Sequence, residues 1–121
     1  MYQSEIDESE SLLTIRYSGT VDAQQTARCA KECELALQKM RPGFRLLTDL
    51  SGLDRMDLAC VPAIKRMMDL CDQAGVELVV RVIPDPRKDI GLNILSLFHY
   101  RKRVRIVSCE TLNEAQKLLV S

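Results

Sequence analysis

Apolar and polar positions along this chain switch between a two-residue and a three-to-four-residue period, and the switches predict its elements. "YQSEID" at residues 2–7 is short and mixed. "SLLTIRYSG" at 11–19 reads as a strand, with Thr14, Ile15 and Tyr17 suited to a pleated surface. "ESES" between them suits a hairpin turn, and Gly19 is expected to close the second strand. From Asp22 to about Met40 the period lengthens, with Ala23, Ala27, Ala30, Cys33, Leu37 and Met40 at steps of three and four. Asp22 is a natural N-cap, and Pro42 with Gly43 stops the helix.

"FRLLTDL" at 44–50 is an apolar run of strand length. An amphipathic helix follows to about Ala74, with Ile64, Met67, Met68 and Cys71 on its inner side. Pro62 fixes where that helix begins, because proline is tolerated in a first turn and costs roughly 3 kcal/mol deeper inside. The helix is therefore expected to start near residues 59–61, leaving Ser51 to Leu58 as a connecting loop. Gly75 ends it. "VELVVRVI" at 76–83 is nearly continuous in apolar residues, as expected of a central parallel strand covered on both faces. "PDPRKD" is a loop, "IGLNILSLFHY" at 90–100 is helical, and "VRIVSC" at 104–109 is a strand. "TLNEAQKLLV" is a last helix, with Thr111 and Glu114 spaced as a capping box. Strands separated by helices of this size imply parallel pairing with right-handed crossovers. The expected class is α/β: one domain over residues 1–121, a mostly parallel sheet of four to five strands, and an antiparallel edge strand at the N-terminus. Loops after parallel strands sit at the carboxyl end of such a sheet, where these folds place their sites.

Composition narrows the function classes. Lys+Arg and Asp+Glu both number 17, so the formal net charge is zero, which argues against a nucleic-acid binder. No apolar run approaches the ~18 residues needed to span a bilayer, so no membrane role is expected. "MYQSEIDESE" is acidic and polar, unlike a signal peptide, and a cytoplasmic location is the expectation. The five cysteines, Cys29, Cys33, Cys60, Cys71 and Cys109, are an odd set for a disulfide framework. Cys29 and Cys33 share a helix face, but no second pair completes a metal site, so all five are expected to pack as small core hydrophobes.

Motif chemistry is sparse. The glycines form no phosphate-binding loop. His99 is the single histidine and lies at a helix end beside "YRKR", a setting more typical of a partly exposed residue than of a base. Asp49, Asp54 and Asp57 lack the strand-end lysine and paired early acids that a receiver-type magnesium site would want; acids after a strand more often cap loops and helix N-termini. Neither catalytic residue, metal nor cofactor is expected. Arg101, Lys102, Arg103 and Arg105, with Arg87 and Lys88, form a basic cluster that reads as a solvated face. The segment from Ile90 to Tyr100 is apolar on more than one face, more than a single packing stripe needs. Its surplus can cover core on two sides, face a partner, or wall a small apolar pocket.

The order of elements, with "LLTDLSGL" before a loop and helix, "AGVELVVRVI" after it and a closing "RVRIVSCETLNEAQKLL", resembles the STAS domain. That is the fold of bacterial anti-sigma-factor antagonists, also found in the stressosome and on sulfate-transporter tails. The resemblance runs from about residue 10 to the end and extends to the STAS/SEC14-like relatives. It implies a domain that binds another protein and catalyses nothing. In antagonists the loop before the second helix reads roughly Asp-Ser-Ser/Thr-Gly-Leu, and phosphorylation of its second hydroxyl adds about two negative charges that break the complex. Here the matching loop is "MDLACVP": Asp57 matches the acid, Leu58 and Ala59 stand in the hydroxyl positions, and Cys60 and Val61 follow. The phosphoacceptor is missing, and Ser51 is the nearest hydroxyl.

Asp49, Ser51, Asp54 and Asp57 are therefore expected to form an acidic docking loop, continued by Leu58, Ala59 and Cys60, that meets an anti-sigma factor or a kinase-like regulator. A homodimer is compatible with the neutral charge. Ile90, Leu92, Ile94, Leu95 and Phe98 make the second candidate surface. Binding of a small apolar ligand or lipid beside that helix is the alternative function.

Overall fold

The structure is a computed structural model that describes residues 1–101 and 103–120. Strands β1 (Tyr2–Asp7), β2 (Leu12–Val21), β3 (Arg45–Met56), β4 (Leu78–Val82) and β5 (Arg105–Cys109) form one sheet in that spatial order. β1 pairs antiparallel with β2, and every later pairing is parallel. Helices α1 (Ala23–Leu37), α2 (Val61–Ala74), α3 (Leu92–His99) and α4 (Leu112–Val120) alternate with the strands. The expected α/β class and its antiparallel N-terminal edge strand are what the structure shows.

Strand alternation divides the sheet into two unlike faces. Leu13, Ile15, Leu46, Leu50, Val79 and Ile83 turn to the face packed by α1, α2 and α3. Leu47, Val80 and Val82 turn to the other, where α4 contributes Ala115 and Leu119. β4 is buried on both faces, which is why its sequence is apolar almost throughout.

Helix ends follow local chemistry. Asp22 caps α1 by accepting from Gln25 N at 2.9 Å, and Thr111 Oγ1 accepts from Glu114 N at 3.1 Å to open α4. Gly75 ends α2 at φ 95°, and a Cβ there would meet Pro42 Cβ at 2.8 Å, so both the left-handed backbone and the close approach require glycine. All five cysteines are buried thiols. Burial and the neighbouring Cys29 and Asp72 push the Cys71 thiol up to about 12.

Several boundaries differ from expectation. Gly19 does not close β2: it sits at φ 63° inside the strand, next to a register shift, and the strand runs on to Val21. Residues 51–56 are not loop. β3 continues through Met56, because the extended β2 supplies its hydrogen-bonding partner from Ser18↔Gly52 to Val21↔Met56. β4 pairs only as far as Asp49↔Val82, so β2 and β3 project together past the sheet as a two-stranded arm. α1 ends at Leu37, short of Met40, and its inner face is Thr26, Cys29, Ala30, Cys33 and Leu37, with Ala27 exposed. α3 is shorter than the 90–100 span; Ile90 precedes it. Lys102 of the basic cluster lies outside the described residues.

Candidate functional site

The projecting arm delivers the first group of candidate residues to the carboxyl edge of the sheet. A 3-10 turn, Leu58–Cys60, joins it to α2. Asp57 caps that turn: its Oδ1 accepts from Ala59 N at 2.9 Å. The cap leaves Leu58 at the apex, 76% exposed, while Cys60 turns inward with its Sγ 3.6 Å from Val21 O. Pro62 then sits in the first turn of α2, where its missing N–H is harmless.

The structure divides the expected acidic loop. Ser51, Asp54, Asp57, Leu58 and Ala59 are exposed. Asp49 is not at the surface. It is 5% exposed, points to the α4 face, accepts from Arg16 Nε at 3.3 Å, and accepts from Ser51 N at 2.9 Å. An acid at that depth is retained with a cation and a backbone donor on it, which is a structural role. Cys60 is fully buried. Neither Asp49 nor Cys60 presents a side chain to a partner, and the surface that remains is Asp54 through Ala59 with Ser51 beside it.

The second group lies on and before α3. Leu92 is buried and Ile90 and Leu95 are half-buried against the core. Ile94 and Phe98 point outward at 64% and 80% exposure, and Leu97, one turn from Ile94, joins them at 78%. Three large apolar side chains spaced i, i+3, i+4 share one helix face. The helix is pinned from below by polar contacts: Arg81 Nη2 donates to Ser96 Oγ, Arg81 Nη1 donates to Asn93 Oδ1 at 3.3 Å, and Ser96 Oγ donates to Leu92 O at 2.7 Å. His99 Nδ1 lies 2.7 Å from Asp69 Oδ1, and Asp72 accepts from Arg101 N at 3.1 Å, tying the end of α3 to α2.

Arg81 is the residue that sequence reasoning passed over. It is 2% exposed, and burial pulls its guanidinium below the ordinary range, opposed by Tyr100 and Asp89. The signal was present: one cation inside "LVVRV" has to reach polar partners within the fold. Beneath α3, between the sheet and α2, lies a cavity of about 40 Å³ lined by residues such as Ile15, Leu46, Met67 and Met68, with Arg81 in its wall. Among the described residues no cluster of three His, Cys, Asp or Glu side chains is placed to hold a metal, and no helix is long and apolar enough to cross a membrane.

Comparison with known proteins agrees with this architecture. The family model of the STAS domain matches residues 3–108. The unphosphorylated anti-sigma-factor antagonist SpoIIAA has the same fold, with TM-score 0.67 at 18% identity over 100% of this chain and 99% of that one. An uncharacterized protein from Shewanella loihica with a SpoIIAA-like fold superposes at TM-score 0.73 and 15% identity, covering 98% of this chain and 93% of that one. A putative anti-sigma-factor antagonist from Thermotoga maritima gives 0.65 at 16% identity, covering 99% and 95%. No curated protein matches the sequence.

Proposed function

The chain belongs to the STAS domain family, and from that premise we propose that it is a protein-docking module that catalyses no reaction. The observation that carries this reading is Leu58, 76% exposed at the apex of a turn that Asp57 caps. A large apolar side chain on a capped turn gains nothing from folding and is pre-organised for a partner's pocket. Asp54 and Asp57 flank it and favour a basic patch on the partner. The likeness to anti-sigma-factor antagonists supports an anti-sigma factor or a kinase-like regulator as that partner. Ile94, Leu97 and Phe98 supply a second contact face.

The same turn has no hydroxyl at Leu58 or Ala59, so the complex is not broken by phosphorylation there. On this reading binding is constitutive.

A photo-cross-linking residue installed at position 58 in living cells tests this, with one at Lys65 on the outer side of α2 as the control. The expected result is one protein captured from position 58 and absent from 65. Leu58→Asp should then weaken the purified pair at least about tenfold, or about 1.4 kcal/mol, with the thermal midpoint unchanged. Equal binding by Leu58→Asp overturns the proposal, and a stoichiometric phosphate on Ser51 overturns its constitutive part.

A further inference from the structure

The cavity beneath α3 adjoins a second hollow. Leu53, Met56, Lys88 and Ile90 belong to the wall of the 40 Å³ cavity and also to that of an outer hollow of about 170 Å³ at the tip of the arm. The inner part is apolar almost throughout. Met56, Met67 and Met68 are in its wall, and unbranched thioether side chains re-pack around a guest at low cost. The outer part carries Arg55, Arg87 and Lys88 against one acid, Asp54. Arg87 is already paired with Asp85 at 2.9 Å, whereas Arg55 and Lys88 form no ion pair among the described residues. Arg81, buried in the inner wall, hydrogen-bonds the neutral side chains of Asn93 and Ser96, and Asp89 is the carboxylate that acts on its charge.

An apolar slot behind a cationic mouth matches one ligand chemistry. We propose that this recess binds a single-chain anionic amphiphile, a fatty-acid carboxylate, with its hydrocarbon chain among the methionines and its head between Arg55 and Lys88. The inner hollow has room for about three waters, so longer chains enter by displacing the methionine side chains. The recess shares Asp54, Arg55 and Met56 with the docking surface, but neither Leu58 nor the outer side of α3 lines it. Leu58→Asp therefore tests docking without altering the recess, and titration of the unaltered chain tests the recess without the docking partner.

Calorimetric titration of the full chain with octanoate, decanoate and dodecanoate, each below its micelle concentration, tests the proposal. Binding should be one to one and tighten about fourfold per added methylene until the chain outgrows the recess. Dodecyltrimethylammonium, equal in chain and opposite in charge, should bind at least about tenfold more weakly. Arg55→Glu with Lys88→Glu changes only the mouth and should weaken decanoate by about tenfold or more, while circular dichroism stays that of the parent. Met56→Trp narrows the passage and should abolish binding. No heat from dodecanoate up to about 1 mM, where even a weak ligand would register, overturns the proposal. So does equal affinity for the cationic chain, or decanoate binding that survives both sets of variants.

Discussion

α2 and α3 pack against each other on the same side of the sheet and yet are built on opposite plans. α2 sends Ile64, Met67, Met68 and Cys71 inward and shows Lys65, Arg66, Asp69 and Gln73 to water. α3 buries Leu92 and Ser96, holds the latter on Arg81, and shows Ile94, Leu97 and Phe98 to water. In α2 the apolar atoms stabilise the fold. In α3 the most exposed apolar side chains contribute little to the folding of the isolated chain, and Leu92 together with polar contacts keeps the helix in place. An exposed apolar face of this kind is what the second contact surface proposed above requires.

Breaking the better-anchored helix should have the largest effect. Ile64→Ala removes a buried branched side chain and leaves a void beside the sheet, at an expected cost of about 2–5 kcal/mol in urea unfolding. Met67→Ala belongs in the same range at its lower end, because neighbouring flexible side chains fill part of the space. A loss under 1 kcal/mol for both would show that α2 does not carry the core, and the contrast between the helices would collapse.

The anchor of α3 comes next. Arg81→Met keeps the length of the side chain and removes its donors to Ser96 and Asn93. We expect a loss of about 1–3 kcal/mol, partly offset because a buried charge is removed as well. The sharper readout is hydrogen exchange: amides of α3 should lose protection while those of α2 keep theirs. Uniform loss in both helices would mean that Arg81 supports the whole core and α3 has no separate hold.

Much of this contrast was legible in the sequence. The inner stripe of α2, the start of that helix near Pro62 and the apolar β4 follow from spacing and from proline's missing donor. The surplus of apolar residues in "IGLNILSLFHY" also showed, though the pattern cannot say which of them face outward. What was illegible depends on distant partners. "SGLDRM" alternates poorly and reads as loop, and it becomes strand because residues 18–21 extend beside it. Asp49 looked like a loop acid because Arg16, which neutralises it in the interior, lies 33 residues away. Leu58 was placed correctly in the turn, but its exposure comes from the Asp57 cap and from Cys60 turning inward, a geometry that composition does not encode.

Alkaline pH probes the ground under α2 more gently. Burial raises the ionisation of Cys71 to about 12 and raises those of Tyr17 and Tyr100 as well. A group whose folded value is raised contributes stability that is fully present below its unfolded value and is lost as pH rises through the folded one. Unfolding free energy should thus be flat from pH 6 to 8 and fall above the ordinary thiol value of about 8.5, by about 1.4 kcal/mol per pH unit from Cys71 alone. Cys71→Val should remove that share of the slope. A slope unchanged in the variant would place the alkaline sensitivity elsewhere.

The smallest effect on stability belongs to the outer side of α3, and it separates folding from binding. Ile94→Ser, Leu97→Gln and Phe98→Ser each change a side chain that is mostly in water, so each should shift the urea midpoint by less than about 0.5 kcal/mol. The triple variant should unfold like the parent and be the more soluble protein. Against the partner captured at position 58 it should lose affinity by about tenfold or more, because apolar anchors carry most of the energy of an interface. If it binds like the parent, docking is confined to the Leu58 turn. If the triple variant instead unfolds several kcal/mol more easily, those side chains support the fold, and the two helices follow one plan after all.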